Sequence, residues 1–223
     1  MLSDFLLDLK GTLVLRSYVF FFNFGFFLAS FYHMGVKRTF IFMASAFLIA
    51  WYCEYTSVNY GVPFGYYTYH LDLEKNRELV IWGIPFFDSL SFVFLSYFSF
   101  TTAAYCIDND AIIGAQNPRT PWLGGLLMML LDVAIDPITL KGEKFFLGKI
   151  YSYPYEGFHF GVTWENYAGW YIVGLLTQFA YQTISNTLMG PIPYRKLRRQ
   201  FRGLIFGIYT SIFLFIITIS ACI

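Results

Sequence analysis

Long uncharged stretches recur along this chain, and each is close to the span of a bilayer. Apolar runs cover about 12–33, 37–57, 84–106, 120–137, 164–187 and 203–222. A helix needs about 20 apolar residues to cross roughly 30 Å of hydrocarbon. The pattern therefore predicts six transmembrane helices. An open sheet would leave backbone groups unpaired in lipid, so helix is the form expected of every run. The expected fold class is all-α, a polytopic transmembrane helix bundle forming a single integral membrane domain over 1–223. Lys10 precedes the first run in the manner of a signal peptide. The apolar stretch is too long for one and lacks a small-residue cleavage site, so it reads as an anchor.

Composition supports the same class. Of 223 residues, 57% are hydrophobic and 13% charged, against about 25% charged in a typical soluble domain. The net charge of +1 gives no reason to expect nucleic acid as a partner; the lipid bilayer is the expected one. Cys53, Cys106 and Cys222 lie in separate apolar segments. An odd count without CxxC spacing points to neither a disulfide framework nor a zinc site. Aromatics make up 22% of the chain, much of it expected as lipid-facing bulk and interfacial belt.

Orientation follows from basic residues in short loops. The segment PIPYRKLRRQFRG carries Arg195, Lys196, Arg198, Arg199 and Arg202 and no acid, and Lys37 and Arg38 fall on the same side. That side is assigned to the cytoplasm, although Lys141, Lys144 and Lys149 count against it. Both termini and the two longer loops, 58–83 and 138–163, then face outward in a multi-pass protein of the cell membrane. The loops are Gly-punctuated and aromatic. NYGVPFGYYTYH has Gly61, Pro63 and Gly65 with Tyr66, Tyr67 and Tyr69, and YSYPYEGFHFGVTWENY follows the same style. Gly and Pro at such intervals suit rigid turns rather than linkers.

Five carboxylates interrupt the apolar pattern: Glu54, Asp88, Asp132, Asp136 and Glu165. Counting helices brings all five to one membrane face. An acid at bilayer depth costs about 2.5–3.5 kcal/mol on insertion scales, so it usually marks a working site. Asp132 and Asp136 in LLMMLLDVAIDP are four apart, which places them one turn apart on one helix face. Pro137 is expected to mark the helix end, with Asp136 at the break. Two like charges this close in a low-dielectric site cannot both ionise cheaply, so the pair is expected to hold a proton donor beside an acceptor. Glu54 ends its helix, where the dipole disfavours an acid and a functional use is favoured. Asp88 and Glu165 open theirs, where an acid also complements the dipole.

Other candidates are weaker. His33 is read as interfacial on the opposite face. His70 and His159 fall in the outward loops, where either could assist proton transfer. Trp51, Trp82, Trp164 and Trp170 could line the acidic end and stabilise a cation. A carboxylate-rich Mg²⁺ site gripping a diphosphate would fit DxxxD, with Lys141 and Lys144 nearby.

Three motifs taken together resemble a known family. GVPFGYYTY after an acidic helix end, DxxxDP, and GFHFGVTWENYAGW are similar in order and spacing to the carotenoid 1,2-hydratase family, which includes gamma-carotene and bisanhydrobacterioruberin hydratases. The likeness covers roughly 40–175, with Thr163 where a proline is expected. The resemblance implies a carbon–oxygen hydro-lyase with no cofactor and no metal, acting on a hydrophobic carotenoid or other isoprenoid substrate and water. Water would add across C1 and C2 of an acyclic end group. Asp132, Asp136 and Glu54 would supply the acid and the water base. Tyr66, Tyr67, Asp88, His159, Trp164, Glu165 and Asn166 would bind the substrate, position water or shield the cation. Two other readings are a carotenoid cyclase or prenyl transferase, and a lipid-binding or transport protein using the acids as a proton relay.

Overall fold

The computed structural model describes residues 2–70, 77–108, 111–142 and 150–190, and in the C-terminal stretch 203, 205–211, 214, 217 and 218. It is all-α in character. The helices are α1 (Leu2–Leu15), α2 (Ser17–Met34), α3 (Val36–Tyr60), α4 (Phe86–Ile107), α5 (Ala111–Gln116), α6 (Thr120–Leu140) and α7 (Trp164–Met189). Two small antiparallel pairs supplement them. β1 (Thr68–Tyr69) joins β4 (Tyr151–Ser152), and β2 (Val80–Ile81) joins β3 (Ile84–Pro85).

Helix α4 is central and packs on α2, α3 and α6. Nearly every residue from Phe92 to Tyr105 is buried, as expected of a helix apolar all round. Helices α6 and α7 meet most broadly. Small residues permit it, since a Cβ at Gly174 would lie 3.1 Å from the Gly125 Cα. Close backbone approach through glycine is the usual packing device where lipid tails offer no hydrophobic drive. Arg38, at the start of α3, donates to Ser185 Oγ at 2.9 Å and to the Met189 and Gly190 carbonyls at 3.1 and 2.9 Å. It thereby caps the C-terminal end of α7.

Three expectations change. First, the run at 12–33 is not one helix. It breaks at Arg16 with a bend of 86°. Arg16 is pulled inward onto buried Glu78, Nε to Oε1 at 2.6 Å, and its guanidinium lies 4.4 Å from the Phe87 ring centroid. A straight helix would strand this cation in hydrocarbon. Second, Pro137 does not end α6, which continues to Leu140. The proline removes one amide donor, but the last turn is held by packing and by Thr139 Oγ1, which donates to the Asp136 carbonyl at 2.9 Å.

Third, six spans are not supported. Among the described residues α3, α4 and α6 are long and apolar enough to cross a membrane, with the bent α1–α2 pair a fourth if counted as one. The expected fifth is the 26-residue α7, but its buried face carries Asn166, Thr177, Gln178, Gln182 and Ser185. Part of the expected sixth, 203–222, lies outside the described residues, as do Cys222, Lys144, Lys149 and the basic cluster Arg195, Lys196, Arg198, Arg199 and Arg202. Within that stretch 205–211 is helical, and Tyr209 donates to the Leu127 carbonyl at 2.8 Å.

Candidate active site

Four of the five carboxylates converge where α3, α4, α6 and α7 bring their ends together. Helix α3 delivers Glu54 in its last two turns. Gly61, at φ +76°, then turns the chain sharply. The Phe64 amide donates to Ser57 Oγ at 3.0 Å, so the turn folds back over the helix end. Helix α7 presses on this turn at Gly169, where a Cβ would stand 2.4 Å from the Phe64 ring. Beyond it the chain runs extended, and alternate residues Tyr67 and Tyr69 point inward. The Tyr67 hydroxyl donates to Glu54. The Tyr69 hydroxyl bridges Glu54, at 2.7 Å, and Asp88 in the first turn of α4.

A second bridged pair faces the first. Asp132 and Asp136 stack on one face of α6, as their spacing requires. Asn166, in the first turn of α7, donates one amide hydrogen to each: Nδ2 to Asp132 Oδ2 is 2.7 Å, and Nδ2 to Asp136 Oδ2 is 2.5 Å. Asp132 is wholly buried, and its Oδ1 finds no hydrogen-bond partner among the described residues. Asp136 reaches the cavity between the pairs.

That cavity has a volume of about 40 Å³, room for about two or three waters. Its polar lining is Glu54, Asp88, Asp136 and Asn166; its aromatic lining is Phe64, Trp170, Tyr67, Tyr69, Tyr151 and Tyr153. Trp170 stacks on Phe92 at 4.4 Å between centroids. The tyrosines come from both long loops, which the β1–β4 pairing joins with Thr68 opposite Ser152 and Tyr69 opposite Tyr151. Tyr151 hydrogen-bonds Thr139 at 3.0 Å, and Tyr153 donates to Asp136 Oδ2 at 3.5 Å. Burial, and next the Asp88 and Glu54 charges, push the Tyr69 phenol well above its ordinary value. Burial and then Asp136 do the same to Tyr151 and Tyr153. These phenols stay protonated, and those of Tyr69 and Tyr153 donate to the carboxylates.

The structure thus gathers Glu54, Tyr67, Asp88, Asp132, Asp136 and Asn166. The other predicted site residues lie apart. Tyr66 is exposed with its ring against Gly61. Trp164 is 68% exposed and stacks on Phe158 at 4.0 Å. Glu165 is exposed beside Tyr155. His159 Nδ1 pairs with the Tyr167 hydroxyl at 2.5 Å and faces a different cleft. His70 bonds Ser152, and His33 is buried against Tyr97 rather than interfacial. Of Trp51, Trp82, Trp164 and Trp170, only the last lines the cavity. Tyr69, Tyr151 and Tyr153 belong to the site although the sequence reading did not place them there. Their signal was the period-two spacing of YYTY and YSY, which sets alternate tyrosines on one side of a strand. Among the described residues no three His, Cys, Asp or Glu side chains are set to hold a metal ion. Lys141 lies on another flank of α6, away from the acidic pocket.

Helices of this length and apolarity, enclosing carboxylates in an aromatic cage, define a membrane-type α-helical protein with a buried acidic site. The chain belongs to the carotenoid biosynthesis protein family, whose sequence profile matches residues 9–223. The family relationship therefore extends well beyond the 40–175 over which the motifs are recognisable. No curated protein and no solved structure matches the chain.

Proposed function

We propose that this member of a carotenoid biosynthesis family is a hydratase. It adds water across the terminal C1–C2 double bond of an acyclic carotenoid end group, by acid catalysis and without a cofactor. The observation that carries this reading is the pair of bridged carboxylate sets facing each other across a water-sized cavity walled by aromatic rings. Asp136 is the member of its pair that touches the cavity, so it donates the proton. The proton forms the new C2–H bond, and the π electrons leaving C1 make it a tertiary cation. A water lone pair then forms the C1–O bond. Glu54, held by Tyr67 and Tyr69, takes the proton that the water sheds. Return of that proton to Asp136 closes the cycle, and the net change is addition of one water.

Each wall has a task in this scheme. Trp170 and the tyrosine faces lie against the developing cation, an interaction worth about 2 kcal/mol or more when desolvated. Asp132 lies behind the cavity, and Asn166 lines it beside Asp136. Asn166 positions Asp136, and Asp132 shares its proton, as like carboxyls in one site must. The polyene stays in lipid, and only its end meets water.

Expression in a bacterial host that accumulates lycopene, with mass spectrometry of the pigment, tests the reading. The expected product gains one or two waters, and an Asp136→Asn control gains none. A ring-closed isomer of unchanged mass would replace the hydratase with a cyclase.

A further inference from the structure

Helix α6 has a second working flank. One step around from the carboxylate face, Val133, Ala134, Pro137, Ile138 and Lys141 border a cleft of about 240 Å³, six times the acidic cavity. Phe160, His159 and Ile217 complete it. Among the described residues its lining contains no acid. Its one formal cation among the described residues is Lys141, just past the C-terminal end of α6, with Nζ 5.1 Å from the Phe160 ring centroid. The ring and the ammonium group both belong to the lining of the cleft. Phe158, Phe160 and Trp164 are exposed around it, the composition of an interfacial belt. An apolar cleft at the end of a candidate span, with a cation at its rim, sits at headgroup depth. There its natural solvent is acyl chain below and phosphate above.

We propose that this cleft binds an anionic membrane phospholipid, its acyl chain along Val133, Ala134 and Ile138 and its phosphate on Lys141. Charge selects the headgroup, because the cation meets no acid among the described residues of the cleft. Pro137 adds to the fit. It offers no amide hydrogen to the Val133 carbonyl one turn back, and both residues border the cleft. This site is independent of the carboxylate chemistry on the other flank.

Native mass spectrometry of the detergent-purified full chain, titrated with phosphatidylglycerol or phosphatidylcholine, tests the proposal. One phosphatidylglycerol should be retained about fivefold more tightly than phosphatidylcholine, the worth of about one lysine against an anionic lipid. Lys141→Gln should erase that preference, Lys141→Arg should keep it, and Lys37→Gln at the opposite end of the bundle should leave it intact. Ala134→Trp, which fills the cleft, should lose both lipids. Equal binding of the two lipids by the native chain would overturn the proposal, as would a preference that survives Lys141→Gln. Displacement of bound lipid by added lycopene would also overturn it, by making the cleft a polyene site. If Lys141 serves only the helix dipole, Lys141→Gln lowers the melting temperature and leaves lipid selectivity unchanged, which again refutes the assignment.

Discussion

The two aspartates of α6 have different positions and should fail differently. Asp136 borders the cavity and Asp132 lies behind it, joined to it through Asn166. Asp136→Asn keeps the shape and removes the donor. Turnover on lycopene should fall by about 10²–10⁴-fold, the usual contribution of a positioned general acid. Asp132→Asn should also stop product formation while the protein folds and accumulates, because Asn cannot share the proton. Tyr69→Phe should slow turnover by breaking the bridge between Glu54 and Asp88, whereas Glu165→Gln should leave it unchanged. Pigment assays on membranes with matched protein levels check all four; an inert Asp136→Asn effect would remove the proposed acid. The acids were legible in the sequence because a carboxylate inside an apolar run has no ordinary reason to be there. Tyr69, Tyr151 and Tyr153 were not, since Tyr near a membrane interface is expected without any site. Trp164 illustrates the converse. It sits in a motif rich in candidate residues, yet its ring lies on Phe158 and not on the cavity.

Under the proposed function an end group larger than a few waters must reach these residues, and the elements around the cavity supply a route. The cavity is roofed by β1 and β4, two-residue strands from different loops that pair with Thr68 opposite Ser152. Such short pairs carry few backbone bonds and open at little cost, and substrate-gated closure is a common way to exclude water. Opposed residues in an antiparallel pair have Cα atoms about 4.5–5.5 Å apart, within reach of a disulfide. A Thr68→Cys/Ser152→Cys double variant should therefore oxidise readily, lose turnover while cross-linked, and recover it on reduction. Full activity in the cross-linked form would mean that substrate enters without parting the strands. The strand pair was not legible in the sequence, because each partner is too short to show a pattern and the two lie some eighty residues apart. The break at Arg16 was hidden for a related reason. Apolar residues continue on both sides of it, and its partner Glu78 lies 62 residues away.

At the scale of the molecule, the site's position at one end of the bundle sets a sidedness. Glu54 closes α3, Asp88 opens α4, Asp136 lies in the last turns of α6 and Asn166 opens α7. Four helix ends therefore meet at one face. Lys37 stands at the far end of α3, whose 25 residues extend about 37 Å, enough to cross hydrocarbon. The loop that carries Glu156 lies at the site face, so Lys37 and Glu156 should label from opposite sides. In a background lacking Cys53, Cys106 and Cys222, a Glu156→Cys variant should react with a membrane-impermeant thiol reagent on intact cells. A Lys37→Cys variant should react only after permeabilisation. The mirror pattern would keep α3 as a crossing helix but open the acidic pocket toward the cytoplasm, reversing the orientation inferred from Lys37, Arg38 and the 195–202 cluster. Labelling of both from one side would show that α3 does not cross. The outcome also bears on chemistry, because the face that opens the pocket decides which aqueous compartment would supply the water of the proposed hydration.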